Sequence, residues 1–180
     1  MRLLFFFILM AFGIIANAQI KKASLQASGL TCSMCSKAVK EALEEISFVD
    51  KVMVDIKNQQ YNLTFKQEAD VDPDALTKAV QDAGFSVASF KLTANIDAVK
   101  LAKDHHINIG NKFFHFLNGT GEELSGDVSF NIVDKGFVSD KEFKKHVSLS
   151  KMQCVQTGRM AKCCSAAEVP DQSRVFHVII

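Results

Sequence analysis

Between Lys21 and Leu92 the chain spells strand, helix, strand twice over, an order that a split strand-helix-strand sandwich satisfies. Leu25 and Ala27 alternate as a first strand. Cys35, Ala38, Val39, Ala42, Leu43 and Ile46 then recur at the three- and four-residue spacing of one helix face. Val52, Val54 and Ile56 alternate as a second strand and Tyr61, Leu63 and Phe65 as a third, with the polar turn Lys57-Asn58-Gln59-Gln60 between them, which predicts a hairpin. Asp72 stands where a helix cap belongs, with Pro73 at the first helical position. Leu76, Ala79, Val80 and Ala83 give that second helix its buried stripe, Gly84 ends it, and Phe85, Val87 and Phe90 fit a last strand. The fold class expected is α+β, a ferredoxin-like βαββαβ domain over residues 19–92.

Two thiols sit where the first strand gives way to the first helix, in Gly29-Leu30-Thr31-Cys32-Ser33-Met34-Cys35-Ser36. Cys35 falls in the first helical turn, and the positive end of a helix favours the thiolate, the form that binds metal. Two cysteinates on one loop suit Cu(I) and also Hg(II), whereas Zn(II) or Cd(II) needs further ligands. With only Cys32 and Cys35 in this half, the site is expected to be open, as transfer of an ion between proteins requires. A short disulfide between the two cysteines is the bland alternative. A thiol-disulfide oxidoreductase is the other functional one, since its dithiol also sits at a helix start. Such redox motifs carry aromatic, Gly and Pro residues around the cysteines, where this chain has Thr31, Ser33 and Met34.

The loop, the helix after it, the hairpin from Val49 to Phe65 and the Ala83-Gly84-Phe85 turn together resemble the heavy-metal-associated domain, over residues 21–92. That family includes small copper chaperones, the periplasmic mercury-binding protein and the cytosolic tails of metal-transporting ATPases. The resemblance implies a metal-binding protein rather than an enzyme, with Cys32 and Cys35 as ligands and a metal-transporting membrane protein as partner. Members usually have Met where this chain has Leu30, and bacterial copper chaperones often have Tyr where it has Phe85. The second departure removes a hydroxyl near the site and bears on copper specificity, not on metal binding.

Residues 1–18 read as a cleavable secretory signal: one basic residue, Arg2, an apolar run from Leu3 to Ile15, and the small-residue end Ala16-Asn17-Ala18. The mature chain is therefore expected in the periplasm or outside the cell, without membrane insertion. Loss of Arg2 takes the net charge from +1 to zero, and with no basic block nucleic acid is not an expected partner.

Residues 93–180 form the remaining unit, expected to be β-rich. Apolar stretches at Ile107 to Leu117, Val128 to Val133 and Val175 to Ile180 suggest strands, and Ser139 to His146 a short helix. That order suits a small barrel of the oligonucleotide/oligosaccharide-binding (OB) type, while a sandwich or an open sheet fits it nearly as well. Met152, Cys154, Met160, Cys163 and Cys164 make a sulfur-rich run that His105, His106 and His115 could join in space. A bridge from Cys154 to Cys163 or Cys164 is favoured there over a second metal site, because an oxidising compartment promotes disulfides.

Overall fold

A computed structural model describes residues 18–161, 164 and 172–180. The expected signal segment, apart from Ala18, and Cys163 lie outside the described residues, and with Cys163 the bridge expected from it. The first half runs β1 (Gln19–Ser28), α1 (Ser33–Glu44), β2 (Val49–Asp55), β3 (Gln60–Phe65), α2 (Pro73–Asp82) and β4 (Ser86–Leu101). The second half adds β5 (His105–Ile109), β6 (Lys112–Phe116), β7 (Glu122–Ile132), α3 (Asp140–Val147), α4 (Cys154–Thr157) and β8 (Val175–Ile179).

Local chemistry explains the ends of the first-half elements. Asp72 caps α2 by accepting from the Asp74 N–H at 3.0 Å, and Pro73 follows at the first helical position. Gly84, at φ +89°, lets the chain leave α2 in the left-handed region, and the Phe85 N–H returns to the Val80 carbonyl at 3.1 Å. The β2–β3 turn closes one residue earlier than the alternation suggests. The Asp55 carboxylate accepts the Asn58 backbone N–H at 3.1 Å, so Ile56 lies in the turn and is 80% exposed rather than inward-facing.

Antiparallel pairing in the order β2-β3-β1-β4 gives the ferredoxin-like sheet. Val39 and Leu43 of α1, and Leu76 and Val80 of α2, are buried with Leu25, Tyr61, Leu63 and Phe90 from the strands.

The expected boundary between residues 92 and 93 falls inside β4. This strand pairs with β1 along Ser86 to Asn95 and with β7 along Lys91 to Leu101, so one eight-stranded sheet continues as β2-β3-β1-β4-β7-β8-β6-β5. The second half is β-rich as expected, but its sheet stays open. The OB-type barrel does not form, because β4 gives one edge to β1 and the other to β7, and the later strands extend the existing sheet outward instead of closing on themselves. The stretch Ile107 to Leu117 is two strands and not one: Gly110 and Asn111, at φ +53° and +63°, reverse the chain in the primed-turn conformation that two-residue hairpins prefer.

Side chains of β6 and β8 divide between two apolar clusters. Phe114, Phe116, Phe176 and Val178 join the main core that also holds Leu25, Leu43 and Phe90. Leu117, just past the end of β6, and Val175 of β8 join a smaller cluster with Val133, Cys154, Val155, Met160 and Cys164. Among the described residues no helix is long and apolar enough to cross a membrane.

Candidate metal centre

Gly29 leaves β1 at φ +86°, a conformation L side chains rarely adopt, and turns the chain across the end of the sheet. Leu30 then packs against the main core, as does Phe85, while Thr31, Cys32, Ser33 and Met34 stand exposed. Cys32 is the N-cap of α1. Its backbone is extended (φ −151°, ψ 161°), its sulfur accepts the Cys35 N–H at 3.3 Å, and its carbonyl accepts the Ser36 N–H at 3.2 Å. The sulfur thus takes the place of the oxygen that Ser or Asp supplies in an ordinary cap. Cys35 sits half-buried one turn on, with the two sulfurs 2.6 Å apart.

No acidic residue occupies the first turn of α1, so the partial positive charge at its N-terminus is left for the thiols. The hydrogen bond with Cys32 lowers the pKa of the Cys35 thiol below its ordinary value, a little desolvation opposes this, and contacts with Thr31 add to it. The sign follows: the thiolate persists below the ordinary thiol range, and protons displace a soft ion only as pH falls through the lowered value. Alkylation of Cys35 followed by mass spectrometry against pH is expected to show a midpoint below 9.0, moving up in Cys32→Ala. A midpoint at or above that value would remove the electrostatic argument.

Sequence reasoning placed Tyr61 only on the third strand, and the structure gives it a further task. Fully buried, it lies with its hydroxyl 3.0 Å from the Ser36 hydroxyl, and it donates to the Ser36 carbonyl at 3.2 Å. It therefore ties β3 to the helix turn that carries Cys35. Tyr61→Phe is expected to cost about 1 kcal/mol, the net worth of a typical hydrogen bond. Urea unfolding measures the loss, and hydrogen exchange at the first turn of α1 should rise with it.

Met34, between the thiols, is 69% exposed. A cleft of about 410 Å³ opens beside Cys32, between Leu30, Ser36, Lys40, Val54 and Ile56. An exposed, laterally accessible thiol pair on a rigid helix start can accept a soft ion and present it to another protein's thiolate.

Residues 24–86 match the heavy-metal-associated domain. Over 68 residues the chain is 38% identical to the mercuric transport protein periplasmic component of Pseudomonas aeruginosa, a match covering 38% of this chain and 74% of that protein. A probable copper-transporting ATPase, HMA5 of Arabidopsis thaliana, is 28% identical over 76 residues, which are 42% of this chain and 8% of the ATPase. The crystal structure of oxidized MerP from Ralstonia metallidurans CH34 is 35% identical, with 38% of this chain and 94% of that chain covered at a TM-score of 0.35. Sequence and fold agree on the class, a ferredoxin-like domain with paired thiols at a helix start. The chain belongs to the heavy-metal-associated domain family through residues 24–86, which bears out the resemblance read from the loop and the helices around it.

Proposed function

We propose that this protein is a carrier that binds one soft metal ion through Cys32 and Cys35 and hands it on, and that it is not an enzyme. What supports the reading is the placement of two accessible sulfurs, one of them with a lowered pKa, at a helix N-terminus free of acidic side chains. Two ligands satisfy Cu(I) or Hg(II) and leave Zn(II) or Cd(II) short, so Cu(I) is the first candidate cargo and Hg(II) the second. Each metal–sulfur bond is about 2.3 Å for an ion such as zinc, so an ion lying between the sulfurs requires them to open beyond their present 2.6 Å.

The carrier works in the periplasm or outside the cell, after removal of residues 1–18, and residues 19–92 hold the site. Its acceptor is a metal-transporting membrane protein whose thiolate adds a third bond before one of the first two breaks. Exposed Ile56 at the cleft, rimmed by Lys37 and Lys40, and exposed Met34 between the thiols give that partner apolar footings.

The test is an anaerobic titration of the reduced protein with Cu(I), and separately with Hg(II), against a competing chelator. One tightly held equivalent that is lost in Cys32→Ser/Cys35→Ser supports the carrier, and the tighter of the two ions names the cargo. Retention of neither, together with reduction of insulin disulfides by the same preparation, would favour the oxidoreductase reading instead.

A further inference from the structure

Three histidines lie side by side across three adjacent strands of the second half. His106 of β5 is the register partner of His115 of β6, and His115 is the register partner of His177 of β8. Lateral partners in a sheet point to the same face, here the face opposite Phe114, Phe116 and Phe176. The imidazoles are in contact, with ring centroids 4.2 Å apart for His106 and His115 and 5.2 Å for His115 and His177. Helix α4 places Cys154 against the row: its sulfur is 3.6 Å from His115 Nδ1. His115 and Cys154 are fully buried and His177 is 1% exposed.

Carboxylates fix how these rings present themselves. Asp104 lies 3.1 Å from His115 Nε2, which turns the lone pair of Nδ1 toward the Cys154 sulfur. Asp134 lies 2.6 Å from His177 Nδ1 and is itself held by Arg174 at 3.0 Å, which leaves His177 Nε2 as the bare acceptor. A carboxylate on one nitrogen, as His115 and His177 each have, is the arrangement metal-ligating histidines use to set tautomer and orientation. The two nitrogens that remain, His106 Nε2 and His177 Nε2, are buried with no hydrogen-bond partner among the described residues. Buried polar atoms left in that state call for an explanation.

We propose that His106, His115 and Cys154, with His177 as a fourth donor, form a second, buried metal site for an ion that accepts imidazole and thiolate together, the class of Zn(II) and Cu(I). One donor atom from each of the first three residues lies within 4.8 Å of the others. A tetrahedral zinc ion bonded to nitrogen at about 2.05 Å and to sulfur at about 2.3 Å holds the two about 3.6 Å apart, the separation that His115 Nδ1 and Cys154 Sγ already have. An S–H···N hydrogen bond accounts for that one distance equally well, but it leaves His106 Nε2 unexplained, and an ion shared by His106, His115 and Cys154 accounts for both. The site is independent of the Cys32–Cys35 loop. Closed and buried where the loop is open, it suits an ion that is kept rather than passed on.

The test uses the full chain carrying Cys32→Ser and Cys35→Ser, reduced and anaerobic, with Co(II) as the spectroscopic probe. The expected result is one equivalent of Co(II) with a thiolate-to-cobalt charge-transfer absorption, abolished by Cys154→Ser. Stoichiometric Zn(II) displacing the cobalt names the four-ligand site, and displacement by Cu(I) alone names the three-ligand one. Because Cys154 is a core residue, a second variant guards against simple misfolding. Asp104→Asn, near the surface, should lower affinity about 10- to 100-fold, the usual loss when a histidine's supporting carboxylate is removed, with the metal-free unfolding temperature unchanged. Absence of the thiolate band, its survival in Cys154→Ser, or Asp104→Asn binding as tightly as its parent would each overturn the proposal.

Discussion

The Cys32→Ser/Cys35→Ser variant is expected to lose at least about a thousandfold in Cu(I) affinity, roughly 4 kcal/mol at 1.4 kcal/mol per factor of ten. A soft ion gains little from a hydroxyl, so replacing sulfur by oxygen removes the donor chemistry while leaving shape almost unchanged. The local fold should survive the change. Serine is a preferred N-cap, so Cys32→Ser keeps the bond to the Cys35 N–H, and neither cysteine is in the buried core. A matched circular-dichroism spectrum and unfolding temperature would establish that only the ligands were lost. Each single variant should fall nearly as far as the double, because one remaining thiolate cannot hold a two-coordinate ion against a competing chelator. If instead the double variant keeps an equivalent of Cu(I) at undiminished affinity, the binding belongs to the histidine and Cys154 cluster, and the loop carries nothing.

The first half was legible because its signals are local. Asp72-Pro73 and Gly84 mark both ends of α2, and the position of Cys35 in the first turn of α1 follows from the spacing of Val39, Leu43 and their neighbours. In the second half some signals were present and ran against the expected boundary. The alternation of Phe90, Leu92, Ala94 and Ile96, all buried, continues straight through residue 92 and marks β4 as one long strand. Gly110-Asn111 inside an apolar run is likewise a hairpin turn written in the sequence. The histidine row was legible only in part: sequence reasoning sets His106 and His115 as candidates to join Cys154, prefers a bridge there, and misses His177. His115 and His177 meet only because β6 and β8 pair in parallel across all of β7, α3 and α4, and no local pattern specifies a pairing of that range. Tyr61 escaped for a related reason: alternation gives its side of the strand, but which atom its hydroxyl meets is decided by how α1 crosses the sheet.

Phe137→Ala should unfold both halves of the chain together. Phe137 is 2% exposed between β7 and α3, with Phe90 of β4 on one side at 5.2 Å between centroids and Phe176 of β8 on the other at 6.0 Å. Phe176 stacks in turn on Phe114 at 5.5 Å, so aromatic contacts run without a break from the strand that ends the family domain to the far strands of the sheet. Arg174, leading into β8, adds a polar tie by pairing with Asp74 of α2 at 2.9 Å. Truncating a buried Phe costs about 3–5 kcal/mol, the transfer free energy of the ring plus the cavity it leaves. For a chain of this size each kcal/mol lowers the melting temperature by about 2–4 °C, so a drop on the order of 10 °C is expected. With a continuous sheet and one main core, that drop should appear in a single calorimetric transition, and amides of α1 and β3, far from the substitution, should lose exchange protection along with those of β8. Two transitions, with the one carrying α1 left at its original temperature, would mean that residues 19–92 and 93–180 fold as separate units in spite of β4. In that case the state of the second half would not reach the Cys32–Cys35 loop through the fold. A single transition carries the opposite consequence: an ion held by the histidine row would raise the stability of the whole sheet, including the strands beneath the loop.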